Sequence, residues 1–283
     1  MGYSPHYFTS YVEDWIARGW LPAAAKFIDF GSQEFHGDAA EARRETAAFL
    51  RARGLSEAEI AALVPPTGMP AVADIFGAIG VDYRSIDVDG ARGAEYFDLN
   101  CFAADPEQYG AFDFVNNEGT IEHLINPING FQVAHEFLKV GGVARHSMPL
   151  TGWQNHGYFC TTLKLHTHLL DANHYEFLVG KIFIYPSPTT IVEDPRFNVV
   201  DGNGATLKEL PPMSDAALYL MYRKTSDRVF QIPSDLPQGM RGFGRLARKL
   251  SRNFDVAAKG RPGWSDRGAV NWLRRALRLA PGN

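Results

Sequence analysis

The stretch FIDFGSQEF, residues 27–35, decides how this chain folds. It ends a short apolar run, AAAKFIDF from Ala23 to Phe30, which stops at Gly31. Such a run, closed by a glycine, reads as a buried strand entering a turn. Three more strand-like runs follow: VDYRSIDV (81–88), AEYFDL (94–99) and FDFVN (112–116). Between Pro127 and Leu138, the residues Ile128, Phe131, Val133, Ala134, Phe137 and Leu138 form a helical stripe. Gly141-Gly142 stops that helix before another strand, 143–148. Strands that alternate with helices predict an α/β fold, an open and mostly parallel sheet with helices on both faces.

Outward from this centre, the first twenty or so residues read as a helix, with Tyr11, Trp15 and Ile16 on one face. Residues 39–64 have helical periodicity. Within them Ser56, with Glu59 three residues on, is a capping-box signature that starts a second short helix. This pair is expected as a helical insertion after the first strand, beside or above the ligand. Ala71 to Ile79 is a further helix. Towards the C-terminus, Tyr158 to Leu170 reads as helix, Tyr175–Tyr185 and Ala216–Arg223 as strands, and 194–212 as loop.

Composition sets the outer limits. With 283 residues, 45% of them hydrophobic and 21% charged, the chain has ordinary globular usage, which excludes a disordered, collagen-like or coiled-coil protein. No apolar run reaches the ~18 residues of a membrane span, and Met1–Ser10 does not read as a secretory signal. Cys101 and Cys160 read as two reduced thiols in a cytoplasmic protein. Charge is uneven. From Gln238 onward there are eleven basic residues against Asp255 and Asp266, while the body before it has 17 basic against 30 acidic. Residues 1–237 are therefore expected to form the domain, with 151–237 building its acceptor side, and 238–283 a basic amphipathic tail. The tail has three readings: a solvated helical face, peripheral contact with an anionic membrane surface through Phe243, Leu246, Leu250 and Phe254, and, ranked last, nucleic-acid contact helped by Trp264 and Trp272.

In an open α/β sheet, ligands bind at the carboxyl ends of the strands, where the strand order reverses. Here those ends carry Asp29, then Asp87 and Asp89, then Asp98, then Asn116-Asn117-Glu118. A row of acceptors suits ribose hydroxyls, an amino group and a positive charge. It repels a pyrophosphate, and the first turn lacks G-x-G-x-x-G, so a dinucleotide is disfavoured.

FIDFGSQEF (27–35), SIDVDG (85–90), FDFVNNEGTIEHL (112–124) and EFLKVGG (136–142) resemble, in order, the motifs of the class I S-adenosylmethionine-dependent methyltransferases. The matches cover residues 23–150, about half of the chain. The resemblance implies a Rossmann-like methyltransferase domain that binds S-adenosylmethionine and releases S-adenosylhomocysteine. It implies that Asp29 and Gly31, with Ser32 and Gln33 beside them, face the methionine end. Asp87 and Asp89 would accept the ribose hydroxyls, Asp98 and the backbone of Leu99 would meet the adenine, and Asn117 would lie near the sulfonium. Two departures stand out: Gln33 and Phe35 occupy a turn that is glycine-rich in the family, and the gap from Gly31 to Asp87 is long.

His123 follows Glu122 beyond the fourth strand, and His156 lies in TGWQNHGYF (151–159) beyond the fifth. A hydroxyl or amine must lose a proton as it attacks the methyl group, and imidazole suits that near neutral pH, so these two are the catalytic candidates. Some related methyltransferases hold a divalent ion with Glu-x-x-Glu-His. Here Gly119 stands where the first glutamate would be, Glu118 is one residue early, and His166 and His168 are spaced i, i+2. No metal is expected. The sequence thus predicts methyl transfer to oxygen or nitrogen of a small molecule or a glycan precursor. The alternatives are a non-catalytic binding protein that docks through its tail, and an RNA methyltransferase.

Overall fold

A computed structural model of the chain describes residues 2–153, 156–187, 205 and 213–234. The basic tail, its segments near 243–250 and 270–279, and nearly all of the expected loop 194–212 lie outside the described residues. No described helix is long and apolar enough to cross a membrane.

The elements run β1 (Gly2–Tyr3), α1 (Pro5–Ala17), β2 (Lys26–Phe30), β3 (Glu34–Phe35), α2 (Ala39–Ala52), α3 (Glu57–Leu63), α4 (Val72–Ala78) and β4 (Asp82–Asp87). They continue with β5 (Glu95–Tyr96), β6 (Phe112–Glu118), α5 (Pro127–Phe137), β7 (Leu138–Thr151), α6 (Leu163–Asn173), β8 (Glu176–Ser187) and β9 (Met213–Arg223). Seven strands form one sheet in the order β5-β4-β2-β6-β7-β9-β8. β5, β4, β2, β6 and β7 pair in parallel, and β9 runs antiparallel between β7 and β8. From β2 the chain builds outward through β4 to β5, then returns to build the other way from β6. The strand order therefore reverses between β2 and β6, the place where such sheets bind ligands.

Both faces are covered, so the central strands are buried on both sides, with Phe27, Ile28, Phe30, Phe114 and Val115 fully enclosed. In β2, Phe27 faces one layer and Ile28 and Phe30 the other. The first layer is α1, α2 and α4. Pro5 presets the first turn of α1, and Phe8, Val12 and Trp15 are its fully buried stripe, with Tyr11 and Ile16 packed at the edge. Trp15 lies 4.7 Å from Phe114, which stacks at 5.0 Å on Phe27, itself 4.6 Å from Phe76. The second layer is α5 and α6, built on Phe131, Phe137 and Leu169.

The expected capping box at Ser56 and Glu59 is present and starts α3. Its partner α2 buries Ala42, Phe49 and Leu50 in the α1–α4 layer, so the pair thickens that face instead of standing over the strand ends. The helix expected from Tyr158 begins later, because Thr162 caps it by accepting a hydrogen bond from the Leu165 amide. The residues before it are held as a turn. The amides of Tyr158 and Phe159 both donate to the Glu122 carbonyl, at 2.9 and 3.1 Å.

Truncating Phe114 removes the ring on which both Trp15 and Phe27 rest. Phe114→Ala should cost about 3–5 kcal/mol in urea unfolding, and a loss below about 1 kcal/mol would contradict this packing.

Candidate functional site

Gly31 leaves β2 with φ 96°, a conformation that glycine adopts without strain. Its amide donates to the Ile86 carbonyl at 2.8 Å, which lays the turn against the end of β4. Side chains then fix the turn. The Asp87 Oδ2 accepts from the Ser32 amide at 2.8 Å and from its hydroxyl at 3.2 Å, and the same hydroxyl lies 3.0 Å from Asp89 Oδ2. Arg92 donates to the Ser32 carbonyl at 3.3 Å and pairs with Glu34. Ser32, Asp87 and Asp89 thus form one hydrogen-bonded cluster. Arg92 is a member that sequence reading missed. It sits at φ 53°, in the left-handed region, and no pattern in the chain advertises that position.

Asp29 behaves differently from its expectation. It is fully buried on the α1 face, and both of its oxygens are taken. Oδ2 accepts from Tyr3 at 2.6 Å and from Tyr83 at 3.3 Å, and Oδ1 accepts from Asn116 at 2.8 Å. The strand alternation that turns Phe27 into this layer turns Asp29 there too. Its carboxyl braces the turn from beneath and does not face the strand ends. Burial raises its pKa to about 7, against the lowering effect of the hydrogen bonds from Tyr3 and Asn116. The network continues through Arg145, which donates to Asn116 Oδ1 at 2.9 Å and pairs with Glu118. Burial is the largest single effect and works against the Arg145 charge, but Glu118, Tyr219 and Tyr3 together raise its pKa. The rings of Tyr219 and Tyr11 lie 4.7 and 5.1 Å from the guanidinium. An arginine inside the apolar strand VARHSM (143–148) was the one signal of this network in the sequence.

Next to Asn116, Asn117 points to the other side of β6. Its Oδ1 caps the turn that follows, accepting from the amides of Thr120 and Ile121, both at 3.0 Å. The Phe30 carbonyl receives both Gln33 Nε2 at 2.7 Å and the Thr120 hydroxyl at 2.5 Å. Gln33 and the 117–120 turn therefore meet at the point where the strand order reverses. Here the buried atoms Gln33 Oε1 and Asn117 Nδ2 have no hydrogen-bond partner. Buried polar atoms are seldom left so, and such a pair at a crevice suits a polar ligand. Asp98 lies apart from this cluster. It accepts from the amide of Asn100 and from Cys101, which holds its carboxyl below the usual range. Leu99 is buried, and its carbonyl accepts from Asn129 at 2.7 Å.

The two histidines do come together. The His123 and His156 rings are 5.0 Å apart, and the Trp153 ring is 5.3 Å from His156. Trp153 is held at φ 53° by a hydrogen bond from its amide to Asp215 at 2.8 Å, and its indole N–H is buried without a partner. Glu122 is almost fully buried beneath His156, with 3.7 Å between Glu122 Oε1 and His156 Nε2. Glu122 Oε2 and His123 Nε2 are both buried without partners. Burial lowers the pKa of His123, so it is neutral near pH 7. Among the described residues, Glu122, His123 and His156 form the group of three that could hold a metal ion, with ligand atoms within 4.8 Å of one another. Chain spacing hid this group because its third member comes from the next loop.

No family model matches this chain, and no curated protein does. Solved structures do resemble it. A protein from Bacillus halodurans assigned as a methyltransferase is 12% identical over 76% of this chain and 99% of its own, with a TM-score of 0.44. A SAM-dependent methyltransferase from Archaeoglobus fulgidus is 11% identical over 77% and 94%, at 0.38. The 1,6-didemethyltoxoflavin-N1-methyltransferase of Burkholderia thailandensis, solved with S-adenosylhomocysteine, is 13% identical over 79% and 92%, at 0.36. At these scores the likeness adds nothing to what the sheet shows by itself.

The Asp29 carboxyl gives a pH test of the buried network. Unfolded, it titrates near ~3.9; folded, at about 7. The folded protein holds this proton more tightly, so the group's contribution to stability is complete below about pH 4 and is lost as pH rises through about 7. Asp29→Asn carries no titrating proton. In urea unfolding, the stability of the variant relative to wild type should rise between pH 5 and pH 8, and a constant difference would place the Asp29 pKa in the ordinary range. With its reversing strand order and its covered faces, the chain has a Rossmann-like fold, a mostly parallel open sheet with helices on both sides.

Proposed function

We propose that residues 1–237 form a methyltransferase domain that moves a methyl group from S-adenosylmethionine to oxygen or nitrogen of a small molecule or a glycan precursor. The observation that carries this reading is the pair of unpartnered buried atoms, Gln33 Oε1 and Asn117 Nδ2, at the reversal point between β2 and β6. Gln33 Oε1 is an acceptor there, which favours an ammonium or a sulfonium, and Asn117 Nδ2 is a donor, which suits a carboxylate or hydroxyl oxygen. Gly31, Ser32, Gln33, Asp87, Asp89 and Asn117 are the residues assigned to the cofactor. Asp98 and Leu99 are assigned to the adenine end. Asp29 supports the turn from behind. His123 and His156 are assigned to the acceptor's departing proton, on the far side of Asn117. The acceptor attacks the methyl carbon in line, the carbon–sulfur bond breaks with its electron pair on sulfur, and S-adenosylhomocysteine leaves. Holding the acceptor oxygen or nitrogen ~3 Å from the methyl group is a large part of such catalysis.

The basic segment 238–283 is proposed as a peripheral membrane contact of a cytoplasmic enzyme. The non-catalytic reading has one observation in its favour: Ser32 and Gln33 occupy the turn with their own hydrogen bonds.

Titration calorimetry with S-adenosylmethionine and S-adenosylhomocysteine decides between the two. Each should bind in the micromolar range, and Asp87→Ala should weaken both about tenfold or more, or ~1.4 kcal/mol. Unchanged affinity in Asp87→Ala would remove the cofactor assignment. No binding by folded wild type would favour the non-catalytic reading. In a screen of hydroxyl, phenol and amine acceptors, His156→Ala should lower turnover roughly 10²–10⁴-fold while leaving cofactor affinity within about twofold. An equal loss in cofactor affinity would place His156 in the cofactor site instead.

A further inference from the structure

We infer that Glu122, His123 and His156 hold a divalent transition-metal cation at the acceptor side of the crevice. Their ligand atoms lie within 4.8 Å of one another. The 3.7 Å between Glu122 Oε1 and His156 Nε2 is already close to the ~3.3 Å edge of a tetrahedron built on ~2.0–2.1 Å bonds. The side chain that must move is His156, which is 41% exposed, while Glu122 is 1% exposed and fixed. Two further observations point to a ligand. Glu122 Oε2 and His123 Nε2 are buried and have no partner. Leaving a buried carboxylate oxygen unpaired is costly, and a cation removes that cost.

The loop geometry is built around Glu122. The Glu122 carbonyl anchors the turn that carries His156 through the amides of Tyr158 and Phe159. Gly157 packs so closely that a Cβ there would stand 3.0 Å from both the Cγ and the carbonyl oxygen of Glu122. Gly119 does the same on the other side, at 3.2 Å from Glu122 Oε1. One carboxylate and two imidazoles suit Zn²⁺, Fe²⁺, Mn²⁺ or Co²⁺, and three protein ligands leave a position open for substrate or water.

The use of this cation rests on the methyltransferase reading. An acceptor hydroxyl bound at the open position becomes more acidic and releases its proton to water. The oxygen then attacks the methyl carbon, and the carbon–sulfur pair stays on sulfur. The two histidines then act on the acceptor's proton through the cation they hold. The chemistry favours acceptors with a hydroxyl.

The test uses the untagged full chain, stripped with chelator and titrated with Mn²⁺ and with Zn²⁺ in separate experiments. One equivalent should bind at micromolar affinity or tighter. His156→Ala, a change at a half-exposed loop position, and the isosteric Glu122→Gln should each weaken binding at least tenfold, with unfolding curves confirming that both variants fold. No saturable binding of either ion up to 1 mM, or binding that neither variant alters, overturns the site. S-adenosylmethionine titrated into chelated protein separates this failure from that of the enzyme reading: cofactor binding without metal binding leaves a metal-free methyltransferase, and metal binding without cofactor binding leaves the metal site alone.

Discussion

One buried carboxylate, Asp29 of β2, ties β1 and the adjacent strands β4, β2 and β6 into a single hydrogen-bonded unit. Tyr3 comes from β1, Tyr83 from β4 and Asn116 from β6, and all three donate to Asp29. Asn116 in turn accepts from Arg145 of β7, which pairs with Glu118. Burying charge is expensive unless every member is satisfied, and removing one partner strands the rest. That cost fixes the relative height of four strands. It explains why the N-terminus crosses beneath the first turn: Gly2 lies against the Glu34 backbone so tightly that a Cβ would meet its carbonyl oxygen, and Tyr3 is delivered to Asp29.

Strand alternation carries this order into the site. Asn116 faces the network and Asn117 the crevice, so anything that holds the first in place holds the second. The same logic applies to Asp29 and Phe30, whose carbonyl collects Gln33 and Thr120. The turn after β2 has lost most of the glycines seen in the family it resembles, yet it keeps its shape through side-chain bonds from Ser32 to Asp87 and Asp89. Glycine supplies conformational freedom there; Ser32 and Gln33 supply rigidity. The turn is already set, and Gln33 Oε1 and Asn117 Nδ2 are left as buried polar atoms without partners beside it.

Much of the fold was legible because apolar runs and their stops are local signals. The strands at 81–88 and 112–116, the helix from Pro127 and the cap at Ser56 all stand where the pattern placed them. The start of α6 was misread, because Tyr158 to Thr161 have helical composition but the amides of Tyr158 and Phe159 donate to Glu122 and that of Thr161 to Pro149, all tertiary contacts. β1 and β3 were invisible, since two-residue strands carry no periodicity. Asp29 was placed correctly on its strand and wrongly in its role. A carboxylate at a strand end reads as a ligand contact from sequence, and only its partners reveal that it faces the core.

The two halves of the site rest on different constraints. The half proposed for the cofactor rests on the parallel sheet and its buried network, which a substitution at the surface hardly reaches. The half proposed for the acceptor rests on one side chain and one carbonyl, both of Glu122, against which the turn carrying His156 is packed. Trp153, held in a strained conformation by Asp215 of β9, closes that side. Strain at a non-glycine residue persists where the surroundings over-determine it. Here Asp215 of β9 holds the Trp153 amide and Tyr185 of β8 stands edge-on to its ring at 5.7 Å. The loops after β6 and β7 are thus braced by Glu122 and Asp215, apart from the Asp29 network that orders the strands.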